Sequence, residues 1–211
     1  MNEKDFEYIV KDFPHIENYK LIGIFGGLNQ PLEERGDIDL ITIGGNTVHK
    51  NFLIFLKNKL IELGFKPSIF QTTKQQTLKK NKKHILIHDL HYSSIQDLLK
   101  KEQDWKTVII GIKKETYVLY GNRDLLNKIP PINIEIKDII FPFKKWSKEI
   151  KNKKGFDIFI THLEHYYKRI LPKHTGVYSN IDFTKVKLFL KESIKMSKKY
   201  KWKIALNKIN K

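Results

Sequence analysis

Apolar and polar positions alternate in two rhythms over the first part of this chain. Phe6, Ile9, Val10 and Phe13 recur at helical spacing and predict a helix over 2–13. The continuous apolar run YKLIGIF, residues 19–25, stops at a glycine pair and predicts a buried strand. IDLITI, 38–43, predicts a second strand, ended by Gly44-Gly45-Asn46. From His49 to Leu63, Phe52, Phe55/Leu56, Leu60 and Leu63 mark an amphipathic helix, with Gly64 at its end. KPSIFQTT (66–73) and HILIHDLHY (84–92) predict two more strands. A helix over about 93–103 follows, VIIGI reads as apolar without a decided form, and TYVLYG (116–121) predicts a last strand.

Beyond this point the rhythm changes. KIPPINIEIKDIIFPF, 128–143, carries three prolines and marks a junction, which divides the chain into a core over 1–128 and a helical region over 129–211. Phe159, Leu163, Tyr166/Tyr167 and Ile170 predict a helix over 156–171, and Val186, Leu190 and Ile194 predict another over about 182–201. The opposite stripe of Lys187, Lys191 and Lys195 reads as a solvated face. The expected fold class is α/β (α+β): a mixed sheet flanked by helices, followed by a small helical region.

Composition adds two constraints. An apolar share of 40% over 211 residues supports a packed core, and the lack of cysteine excludes disulfides and thiolate metal sites. The charged start MNEKDFEYIVKDF has no signal-peptide form, and no run approaches the roughly 20 apolar residues of a membrane span. A cytoplasmic protein without membrane attachment is therefore expected. The net charge of +17 suggests a nucleic-acid partner, although only Arg35, Arg123 and Arg169 are arginines. The basic run Lys79, Lys80, Lys82 and Lys83 reads as a solvated loop.

Candidate chemistry lies between the first two strands. Residues two apart on a strand point the same way, so Asp37 and Asp39 project together. Two carboxylates on one face repel each other unless a cation lies between them, and Mg²⁺ takes oxygen ligands of this kind together with phosphate oxygens. Gly26 and Gly27, lacking Cβ atoms, allow backbone N–H groups to approach a phosphate closely. Asp89 lies inside the apolar run of 84–92, where Ile85, Ile87, Asp89 and His91 share a face, and a buried carboxylate needs a partner. His84, His88 and His91 cluster in sequence, but His88 and His91 point to opposite faces of a strand, against a zinc site.

Gly26-Gly27, nine residues, then Asp37-Ile38-Asp39-Leu40 resembles the signature of the DNA polymerase beta-like nucleotidyltransferase superfamily, over residues 19–121. The Leu-Tyr-Gly of YVLYGNRDLL is similar to a segment of aminoglycoside nucleotidyltransferases. The resemblance implies a nucleoside triphosphate substrate, ATP by default, and two Mg²⁺ ions. A nucleoside monophosphate would pass to an acceptor hydroxyl on RNA, a small molecule or a protein, with RNA favoured by charge. It also implies a third carboxylate on a later strand, for which Asp89 is the candidate. A non-catalytic binding module of the same fold is the competing expectation.

Overall fold

The computed structural model describes residues 1–26, 31, 37–70, 84–172 and 181–211. The fold is α+β, a mixed sheet with flanking helices followed by further helices. Among the described residues the strands are β1 (Tyr19–Phe25), β2 (Asp37–Gly44), β3 (Lys66–Phe70), β4 (His84–Tyr92) and β5 (Tyr117–Gly121), in the order β3-β4-β2-β1-β5. β2, β3 and β4 run parallel, while β1 is antiparallel to both β2 and β5. Two compact units divide the chain: one within 1–103 and 108–131, the other holding 104–107 and 132–211.

In the first unit the helices α1 (Glu3–Lys11) and α2 (His49–Glu62) cover one sheet face. Asn2 starts α1 with a capping box: its side chain accepts from the Asp5 N–H, and the Asp5 carboxylate accepts from the Asn2 N–H. Phe6, Ile9 and Val10 of α1 and Phe52, Leu56 and Leu60 of α2 form one buried cluster with Ile22, Ile24, Ile38, Leu40, Ile85 and Ile87 of the strands. Each strand contributes alternate residues, as period two requires. The other face carries Leu21, Phe25, Ile41, Ile43, Leu86 and Leu90. Here α3 (Ile95–Lys101) and α4 (Lys106–Glu115) supply buried Ile95, Leu98, Ile109 and Ile112. The undecided VIIGI is thus helical, and its Gly111 lets α4 approach the Phe25 ring, which would stand 2.7 Å from a Cβ at that position. α5 (Asp124–Asn127) follows β5.

Among the described residues of the second unit the elements are helices: α6 (Ile136–Glu149), α7 (Lys153–His165) continued by a π-helical turn at Tyr166–Ile170, α8 (Thr184–Lys199) and α9 (Trp202–Ile209). Its core joins Phe143 and Trp146 of α6, Phe156, Phe159 and Leu163 of α7, Val186 and Leu190 of α8, and Leu206 of α9. The proline-bearing stretch is itself partly helical, since Pro142 lies inside α6. Ile139, Phe143 and Trp146 fall on one helical stripe there, and their burial outweighs the donor that proline removes. Lys187, Lys191 and Lys195 are exposed along α8.

Where β5 meets β1, Gly121 adopts φ +90°, and a Cβ there would lie 2.2 Å from the carbonyl oxygen of Lys20. Positive φ and contact with backbone both exclude an L side chain. Gly121→Ala should lower unfolding stability by at least about 1–2 kcal/mol, read as a lower urea midpoint at constant slope.

Candidate functional site

Asp37 and Asp39 open β2 and stand half-buried on the same face. Antiparallel pairing sets Asp39 directly beside Phe25, the last residue of β1. The next residue, Gly26, has φ +77°, a left-handed conformation at the end of the strand. Proximity of a glycine turn and an acid pair therefore follows from the β1–β2 register. Gly27 and 28–30 lie outside the described residues, as do 32–36 and the basic run at 79–83.

The parallel register between β2 and β4 decides the position of Asp89. Asp37 pairs with Leu86, Asp39 with His88, and Leu40 with Asp89. Directly paired residues share a face, so Leu86 and His88 stand with the acid pair, whereas Asp89 stands with Ile38, Leu40 and Thr42 on the opposite face. The structure brings Asp37, Asp39 and Gly26 together and does not bring Asp89 to them. His88 is the β4 residue beside Asp39, and it is buried.

On its own face Asp89 belongs to a buried polar network. Its Oδ2 lies 2.9 Å from His49 Nε2, and His49 Nδ1 lies 3.1 Å from the Tyr19 hydroxyl. All three residues are buried. A carboxylate accepts only, so His49 donates through Nε2–H, and its Nδ1 accepts the Tyr19 O–H. The Asp89 Oδ1 is buried with no hydrogen-bond partner. His91 stacks on His49 with centroids 3.7 Å apart at 12°. Its Nδ1 is 2.8 Å from Thr42 Oγ1 and its Nε2 is 3.1 Å from Asn46 Oδ1. The Asn46 carbonyl accepts from Nε2–H, which leaves Nδ1 to accept the Thr42 hydroxyl proton: a neutral imidazole completes both bonds. Burial, then the neighbouring His49 and Lys101, hold the His91 imidazole down at about 4, against the opposing pull of Asp89 and Asp97. Burial, with Asp89 nearby, pushes the Tyr19 phenol above its ordinary range.

Sequence reasoning missed His49 and Tyr19. The signal was present for His49, because 49, 52, 56 and 60 form one helical stripe, so the imidazole occupies a core position of α2. Nothing in the apolar run of β1 marks Tyr19 as a polar partner.

The chemistry of the donors gives the test for a metal. Two carboxylates side by side, half-buried and next to a glycine turn, suit a hard divalent cation that also takes phosphate oxygens. Among the described residues no group of three or more His, Cys, Asp or Glu is gathered as a metal site. Asp37 and Asp39 are the residues that could hold such an ion together with a phosphate-bearing ligand, and the β2–β4 register sets Asp89 on the other face. Among the described residues no helix is long and apolar enough to cross a membrane.

Two stability outcomes follow from the network. Asp89→Ala removes the acceptor of His49 Nε2–H and should cost about 1–3 kcal/mol, measured by chemical denaturation. His91 has a folded pKa below the unfolded value near 6.5, so between about pH 6.5 and pH 4 the unfolded chain binds more protons. Stability should fall as pH drops through that window. In His91→Gln that share of the fall should vanish, read as a smaller change in melting temperature between pH 7 and pH 4.

Comparison of the chain with protein-family models, with curated proteins and with solved structures finds no match.

Proposed function

We propose that this protein is a Mg²⁺-dependent nucleotidyltransferase, with the acid pair of β2 as its metal ligands. The observation that carries this reading is the placement of Asp37 and Asp39 on one face beside the turn at Gly26. In this reading the backbone N–H groups around Gly26-Gly27 hold the triphosphate, and the two carboxylates hold the cation that accompanies it. Bound Mg²⁺ supplies the positive charge that offsets the triphosphate and polarises its α-phosphorus.

The transfer is in-line. An acceptor hydroxyl oxygen bonds to the α-phosphorus, the bond from that phosphorus to the bridging oxygen breaks, and pyrophosphate leaves with the electron pair. The hydroxyl proton passes to water. ATP is the default donor, and a cytoplasmic setting, where ATP and Mg²⁺ are plentiful, belongs to the same reading. RNA is the acceptor that the net charge of +17 favours over a small molecule or a protein side chain.

A second reading has support of its own. The resemblance implies three carboxylates, and β4 offers His88 rather than an acid beside Asp39. A nucleotide-binding module without transfer chemistry fits that substitution. The two readings separate on labelled ATP: transfer of label to RNA supports the enzyme, whereas Mg²⁺-dependent binding without transfer supports the module.

Substitutions sort the acids by face. Asp37→Asn with Asp39→Asn should abolish Mg²⁺-dependent nucleotide binding and transfer in calorimetric and radiolabel assays. The far-UV circular dichroism spectrum of the double variant should match that of the parent chain, because both acids stand only half-buried at the start of β2. Asp89→Asn should leave the Mg²⁺ dependence in place and act on stability instead. Unchanged activity in the Asp37/Asp39 double variant would refute the metal role.

A further inference from the structure

Positive charge is unevenly divided along the chain. Residues 132–211 hold twenty lysines and arginines against seven aspartates and glutamates, a net +13 of the total +17. The extreme lies at the end of the helical unit, where Lys195 to Lys211 contain seven lysines and no acid.

Two aromatic rings stand inside that stretch, at the turn between α8 and α9. Tyr200 and Trp202 are both partly open to solvent. The Lys208 ammonium lies 4.8 Å and that of Lys199 5.5 Å from the Tyr200 ring centroid. Lys203 lies 5.6 Å from the Trp202 ring, and that ring also meets buried Phe156 at 6.4 Å, which anchors it. Solvated lysines alone would not explain aromatic surface left part-open beneath them. Single-stranded nucleic acid fits both features: bases stack on aromatic faces while ammonium groups take the phosphates.

We propose that the α8–α9 turn, through Lys199, Tyr200, Trp202, Lys203 and Lys208, binds single-stranded RNA. The choice of RNA over DNA rests on the acceptor reading above; the binding surface does not. A membrane surface fits less well, because Ala205, Leu206 and Ile209 of α9 are buried in the core of the unit and leave Ile204 as the one exposed aliphatic side chain of that helix. An acidic protein would use the lysines and leave the rings without a role.

Fluorescence anisotropy of the full chain with a labelled single-stranded RNA, without nucleotide or Mg²⁺, tests this. Single-stranded RNA should bind more tightly than duplex RNA, and binding should weaken steeply between about 50 and 200 mM salt. Tyr200→Ala should weaken it about tenfold, while Tyr200→Phe retains it, because stacking needs the ring and not the hydroxyl. Lys208→Glu should weaken it and flatten the salt dependence. Lys187→Glu, three turns or about 18 Å back along α8, should change affinity less than about twofold. Circular dichroism checks that each variant is folded. Equal losses in Lys187→Glu and Lys208→Glu would show a diffuse field and overturn the site. Binding to phosphatidylserine vesicles or to single-stranded DNA, with none to RNA, would overturn the choice of ligand. The Asp37→Asn/Asp39→Asn protein should bind RNA like the parent chain, so failure of the transferase reading is distinguishable from failure of this one.

Discussion

The parallel ladder between β2 and β4 pairs Asp39 with His88 and Leu40 with Asp89, and side-chain alternation then assigns every polar group of the sheet to a face. Shifting that ladder by one residue would exchange the faces of β4. Asp89 would join Asp37 and Asp39, while Ile85 and Ile87 would leave the cluster they form with Phe52, Leu56 and Leu60. The slip would turn Leu86, His88 and Leu90 toward α2 in place of Ile85, Ile87 and Asp89, and since both faces are packed, its clearest loss is the Asp89–His49 hydrogen bond inside that core. The register of β4 therefore determines which chemistry its acid can serve.

Burial on that face also explains why Asp89 is tied to His49. A carboxylate enclosed among apolar side chains needs donors, and α2 supplies one at its first turn through an imidazole on its buried stripe. The chain continues the arrangement with Tyr19 behind His49 and with His91 stacked against it. Three strands and a helix thus meet through hydrogen bonds and a ring stack on the sheet face opposite the acid pair. Such a network restricts how α2 can slide or rotate on the sheet, which apolar packing alone does less strictly. Its second carboxylate oxygen, buried and without a partner, is the cost of that arrangement.

Much of the fold was legible in the pattern of apolar residues. Strands at 19–25, 38–43 and 84–92 and the helix from His49 were marked by continuous or amphipathic runs, and the structure places elements there. VIIGI was ambiguous because a short apolar run suits a buried helix as well as a strand; packing of Gly111 on Phe25 belongs to the helix. Pro142 suggested a break, and the stripe of Ile139, Phe143 and Trp146 carried the helix through it. At the candidate site, alternation within β2 correctly put Asp37 and Asp39 on one face. The relation of Asp89 to them depended on pairing between residues 49 apart in sequence, such as Leu40 with Asp89, and no local pattern encodes that register.

The acid pair and the lysine-rich helices make opposite demands on one chain. Asp37 and Asp39 concentrate negative charge at one point of a unit whose own net charge is small, which suits a cation with its bound phosphates. Residues 132–211 spread positive charge over long exposed side chains, which suits an extended polyanion. Lysine rather than arginine dominates there, so recognition would come from diffuse attraction and ring stacking rather than from bidentate reading of bases. Under the RNA reading proposed above, such a surface would hold single strands with little regard for their sequence.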